Sequence, residues 1–327
     1  MAGIVALLVA LVGGTVYAAQ DSLPGDALYP VKLTTERVGL AVGADESVRA
    51  ERALSFADKR VREIQALAGR GRSQDLDLAV GKYGYALNVT VAMMERANNR
   101  GVVAGDVTAR VAEATAGHLL VLDRVWDMVP SEARDAIAHA MNVSQSGYFQ
   151  ALAALARNDT SRAADINLAA MQGRLNRVRA ALRNMEALQI ALGQFEGMSE
   201  FNEEISRVAE ETGLNATGLE ELLAEAYGKH MLVLAEVWQQ VPEQARPAIE
   251  RAMANVTVHY QRRVQSLEQR GVKVPPSPAI PGKVGERIQE RLWQRIQERQ
   301  QWGPDQTTPA GQQGDGGVGG QNPGGST

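Results

Sequence analysis

The chain contains no cysteine among its 327 residues. That removes disulfides, thiol nucleophiles and thiolate-bound zinc in one step, while leaving the compartment open. Aromatics amount to 5% of the chain. Alternating apolar and polar runs are missing, so nothing reads as a strand. Long basic runs are missing too, and the formal net charge is only -4, so nucleic acid is not an expected partner. There is no Gly-x-Ser-x-Gly, no phosphate-cradling glycine loop between strand and helix, and no His-Glu-x-x-His. These absences argue against an enzyme and give no reason to expect a cofactor.

What is abundant is Ala, Leu, Glu, Arg and Gln, whose side chains lose little freedom in a helix. The expected class is all-α: a membrane-spanning or signal helix, a bundle of antiparallel helical hairpins with an internal repeat, and a disordered C-terminal tail. The first apolar run, Ala2 to Ala19, carries no charge and as a helix would span roughly 27 Å, the lower limit for a bilayer. It reads as a retained anchor, as a cleaved signal ending at Val16-Tyr17-Ala18, or as a buried core helix. The lack of Lys or Arg in Met1-Ala2-Gly3 favours the anchor, and Asp21 and Asp26 favour export of the chain beyond residue 20. The membrane is therefore one expected partner, through residues 1–19, and an envelope protein another.

A sharp corner comes next. Pro24-Gly25 suits the centre of a type II turn, and Pro30 suits the first turn of a helix. Val31, Val38 and Val42 are expected on one face of that helix. Helical stripes follow: Ala50, Ala53, Ala57, Val61, Ile64 and Ala68, then Leu76, Val80, Tyr83, Leu87 and Met94. Gly69 and Gly71 close the first of these helices and Gly101 the second.

The segment HLLVLDRVWDMVPSEARDAIAHAM from His118 returns as HMLVLAEVWQQVPEQARPAIERAM from His230, with 14 of 24 positions identical. Each copy reads as a hairpin. Leu122, Val125 and Val129 face inward in one, and Leu234, Val237 and Val241 in the other. Pro130 and Pro242 end one helix and set the next, with Trp126 and Trp238 as wedges. Thr217 and Glu220 suit a capping box. Between the copies the pattern predicts a long helix over about 161–192 and a shorter one over about 199–212. The division is 1–19 anchor or signal, 20–72 elbow and first hairpin, 73–158 first repeat, 159–271 second repeat, 272–282 Pro-rich linker, 283–302 amphipathic helix and 303–327 disordered tail.

The corner and the repeat together resemble a bacterial family of exported proteins classed only as a domain of unknown function. The residues that carry the likeness are Ser22-Leu23-Pro24-Gly25-Asp26, Leu28-Tyr29-Pro30 and Lys32, with a His-x-x-Val-Leu…Val-Pro-x-x-Ala-Arg-x-Ala-Ile segment present twice. The resemblance implies an extracytoplasmic helical domain beside a membrane segment, and no activity. Of candidate site residues, His118 and His230 occupy equivalent positions and are the metal candidates, against a plain hydrogen-bonding role in each hairpin. His139 and His259 read as surface positions. The pairs Glu203-Glu204, Glu210-Glu211 and Glu220-Glu221 read as solvated faces. The function expected is non-catalytic binding, sensing or scaffolding at the cell envelope; the alternative is a secreted, metal-binding or chaperone-like helical protein. The helix around Trp293 is open between return to its own bundle and contact with a membrane or partner.

Overall fold

The computed structural model describes residues 19–41, 45–100, 105–214 and 216–301, with some side chains at the ends of these spans left out. The apolar run, the glycine-rich tail, Val42, Gly101 and Trp302 lie outside them. All regular structure among the described residues is helical: α1 Tyr29–Ala41, α2 Glu46–Gly69, α3 Leu76–Asn99, α4 Gly105–Met128, α5 Arg134–Ala156, α6 Thr160–Ala180, α7 Met185–Thr212, α8 Ala216–Gln240, α9 Arg246–Gln269 and α10 Gly282–Gln301, with single 3-10 turns at Ser73–Asp75, Ser131–Ala133 and Glu243–Ala245. None of these helices is long and apolar enough to cross a membrane.

The helices pair as hairpins, α2 with α3, α4 with α5, α6 with α7 and α8 with α9. The hairpins then stack in chain order. α2, α4, α6 and α8 form one layer, and α3, α5, α7 and α9 the other. One end is closed by α1 against α2 and the other by α10 against α9. Such end pieces are needed in stacked repeats, whose terminal units otherwise expose an apolar face. Val284 and Ile288 bury the inner side of α10, so this helix returns to its own array, although Trp293 stays exposed.

Local chemistry explains the boundaries. Asp45, Asp159 and Asn184 each accept a backbone N–H of the helix that follows. Gly71 and Gly271 take positive φ, and the next residue's N–H reaches back to Leu67 O and Leu267 O (both 3.0 Å), a Schellman ending. The Asn184 cap overturns the long helix expected over 161–192: the chain breaks at 181–184, and α7 then runs unbroken through Gly193 and Gly197. Gly197 lies against Gln145 and Phe149 of α5, so a helix glycine serves close approach there rather than termination. Thr217 lies inside the first turn of α8 and Glu220 is drawn into the core, so no capping box forms.

His118 and His230 are 112 positions apart, and that register extends beyond the segment in which identity is visible. Buried positions of α3 recur in α7: Leu76 with Leu188, Ala79 with Ala191, Tyr83 with Phe195, Thr90 with Asn202 and Ala97 with Ala209. The repeat is thus a matter of burial pattern across two hairpins, with much of its sequence diverged.

Candidate functional site

The corner after the apolar run is the most heavily cross-linked part of the chain. Gly25 has φ 88°, which favours glycine; a Cβ there would lie 2.6 Å from Asp75 Oδ1 and 2.7 Å from Arg72 Nη2. Asp26 closes the turn by accepting from Leu23 N (2.7 Å) and pairs with Arg72 Nη1 (2.7 Å). The Leu23 N–H, and then Arg72, hold its carboxyl below the usual range. Arg72 also donates to Pro24 O (2.6 Å), tying the turn to the α2–α3 connection. Pro24 is buried; Pro30 is exposed, in the first turn of α1.

Beneath the turn lies a buried charge network. Tyr29 is 3% exposed and donates to Glu63 Oε2 (3.0 Å) while accepting from Arg60 (2.6 Å). Lys32 donates to Ser22 O (3.0 Å) and pairs with Glu63 (2.5 Å). Arg60, 2% exposed, pairs with Glu63 (2.6 Å) and with Glu36 of α1. Burial opposes the charge on Arg60, but Glu63, Tyr29 and Glu36 outweigh it and keep the guanidinium firmly protonated. Burial raises the Tyr29 hydroxyl far above the ordinary tyrosine value. Polar bonds therefore hold α1 more than a greasy face does. Val31 is half-buried and Val38 is 60% exposed, which corrects the expected valine face.

In each repeat the proline turn has one construction. Val129 N bonds Val125 O (3.1 Å) and Ala133 N bonds Pro130 O (3.0 Å); Val241 N bonds Val237 O (3.0 Å) and Ala245 N bonds Pro242 O (2.9 Å). Arg134 lies over the Trp126 ring (5.5 Å) and Arg246 over Trp238 (4.5 Å), clamping the two arms. Trp238 Nε1 donates to Glu250 (3.1 Å), whereas the buried Trp126 Nε1 has no partner and Ala138 stands at the position equivalent to Glu250.

The histidine candidates meet different fates. His118 bonds Tyr83 (3.2 Å) and Asp58 (2.7 Å). His230 stands against Phe195, its Nδ1 buried without a partner, and burial, with Lys229, lowers its pKa to about 4. The described residues hold no cluster of three or more metal-binding side chains, and these two histidines sit in separate hairpins against their own aromatic rings.

The second repeat carries a charged layer absent from the first. Val91, Met94, Thr108, Gly147 and Ala151 have as counterparts Glu203, Ser206, Glu220, His259 and Arg263. Arg263 pairs with Glu220 (2.6 Å) and with Glu203, and donates to Ser206 (2.8 Å). His259 bonds Glu203 (2.7 Å) and stacks on Tyr227. Burial works against the Glu203 charge, but His259, Arg263 and Arg262 prevail and hold it at about 2. His259 and Glu220 are buried, and Glu203 is mostly so, which corrects their reading as surface residues; His139 is exposed. Size is traded between partners: Leu87 fills the space beside Gly147, whereas Ser199 leaves room for His259. Sequence reasoning missed Arg60, Glu63 and this layer. The available signal was an Arg or Glu on an apolar stripe, as Arg60 is between Ala57 and Ile64.

A family model described as "Domain of unknown function (DUF5667)" matches residues 21–132, the span that holds the corner and its network. No curated protein matches the chain. Among solved structures, a circular tandem repeat protein with novel repeat topology and enhanced subunit contact surfaces aligns with TM-score 0.51 at 13% identity, over 77% of this chain and 54% of that one. The chain thus spans about half the length of that structure. A de novo designed helical repeat protein aligns with TM-score 0.44 at 19% identity, over 69% of this chain and 98% of the other. At these identities the likeness concerns the fold alone.

Proposed function

We propose that this chain is an extracytoplasmic, membrane-tethered helical repeat domain that acts by binding or scaffolding at the bacterial cell envelope, without catalysis. One observation carries the reading. The residues directly after the apolar run are welded to the stacked hairpins through Lys32, Tyr29, Arg60 and Glu63. A loose leader needs no such join, because an unstructured linker already connects two parts. A join in which Lys32, Arg60 and Glu63 are all nearly buried fixes the orientation of one part relative to the other. Stacked hairpins in turn offer extended surfaces suited to partners. The non-catalytic reading is supported by how the buried carboxylates are used: Glu63, Asp123 and Glu220 each face a guanidinium.

Cell fractionation with N-terminal sequencing tests this. The expected outcome is a salt-resistant membrane protein that keeps residues 1–18 and whose hairpins are digested by protease added from outside. A mature protein starting near Ala19 in the soluble exported fraction overturns the tether.

A further inference from the structure

A groove of about 960 Å³ runs between α1 and α2 and opens at the corner. Helical spacing builds its walls. Phe56, Lys59, Glu63, Ala66 and Arg70 recur every three or four residues along α2, with Arg62 beside them, and Lys32, Thr35 and Gly39 do the same on α1. Gln20 and Asp21 complete it at the end nearest the apolar run.

Its charges are unequal in availability. Glu63 is taken up by Arg60 and Lys32, and Glu36 by Arg60. Lys59 lies 3.7 Å from Glu36 and over the Phe56 ring, with its side chain 44% exposed. Arg62 and Arg70 are exposed and have no carboxylate partner among the described residues. Three cations are thus open to a ligand, against the exposed Asp21. Two of the three are arginines, the side chain best shaped for phosphate.

We propose that this groove binds the phosphate of an anionic membrane lipid, holding a headgroup between α1 and α2. The proposal rests on the membrane-tether reading above. Position is what selects a lipid among anions. Gln20 and Asp21 directly follow the apolar run that ends at Ala19. The headgroup zone is only about 5–7 Å deep on each side of the hydrocarbon, so a groove starting there lies within its reach. Basic residues beside a membrane segment attract anionic lipid, by about fivefold per Lys or Arg.

The lack of cysteine makes the test direct. The full chain with Thr35→Cys, which places a label in the groove, is given a fluorophore and reconstituted into phosphatidylcholine vesicles. These carry a trace of lipid nitroxide-labelled at the headgroup, either phosphatidylglycerol or phosphatidylcholine. The expected result is stronger quenching by the phosphatidylglycerol probe, weakened by added salt and abolished when Lys59→Gln, Arg62→Gln and Arg70→Gln are combined. Equal quenching by the two probes in a chain that floats with the vesicles overturns the groove proposal and leaves the tether standing. Quenching that stays unequal in the triple variant also overturns it, since the preference then arises elsewhere. A chain that fails to float with the vesicles overturns both.

Discussion

Substituting Arg60→Met tests whether the corner is held by its charge network. The guanidinium is 2% exposed and faces Glu63 at 2.6 Å, the Tyr29 hydroxyl at 2.6 Å and the Glu36 carboxylate. Methionine replaces much of the stem but none of the charge, so two carboxylates lose their main partner. Breaking a buried pair from one side costs about 3–5 kcal/mol. Lys32 remains on Glu63, which places the expected loss at the lower end, about 3 kcal/mol or on the order of 100-fold in an opening equilibrium. That loss should appear locally. α1 packs chiefly on α2 and has few buried apolar groups of its own, whereas α4 to α9 bury apolar side chains on several sides. Hydrogen exchange on the full chain reads this helix by helix. The expected outcome is faster exchange in residues 29–41 by about two orders of magnitude, or until α1 is fully open, with α8 and α9 unchanged. Unchanged protection in α1 would refute the idea that the network holds it. A uniform rise across all helices would refute the idea that α1 opens on its own.

Phe195→Tyr should stabilise the fold by about 1 kcal/mol, raising Tm by roughly 2 °C, by giving His230 Nδ1 the hydroxyl that Tyr83 gives His118. The ring pairs match, at 5.5 Å and 75° against 5.5 Å and 80°, and a loss of stability would show that the two sites are not geometric equivalents. Acid titration of stability should show two losses. His230 has a folded pKa of about 4, below the 6.5 of a free histidine, so the unfolded chain takes the proton first and stability falls as pH drops from 6.5 toward 4. Glu203, held at about 2 against 4.5, contributes above pH 4.5 and loses its contribution as pH falls toward 2. Urea midpoints across pH should lose the first slope, on the order of 3 kcal/mol in total, in His230→Leu and keep the second. Gly25→Ala should cost at least about 1 kcal/mol at the corner, read as faster proteolysis near Lys32, because φ 88° and the 2.6 Å approach to Asp75 both reject a Cβ.

Much of the fold is legible in the residues alone. Composition and spacing mark the helices; Pro24-Gly25 and Pro30 mark the corner; near-identity around His118 and His230 exposes a duplication. These signals are local, and backbone sterics and helical periodicity act on neighbours in the chain. Errors arise where a residue has two uses. Gly193 and Gly197 look like breaks and Asn184 does not look like a cap, because a glycine in a helix reads alike whether it ends the helix or admits a neighbour. Glu203 and Glu220 read as surface because a carboxylate belongs in water until its partner is known, and that partner, Arg263, is 60 and 43 residues away.

Helicity, duplication and the turn after the apolar start were settled by the amino-acid order, since each follows from chemistry within a few residues. The packed fold was needed to show that the hairpins stack in two layers, that a charged layer replaces an apolar one in the second repeat, and that Arg60 locks α1 to α2. The reason is physical: periodicity says which face of a helix turns inward, but burying a charge depends on what the opposing helix presents, and only the fold brings that helix near.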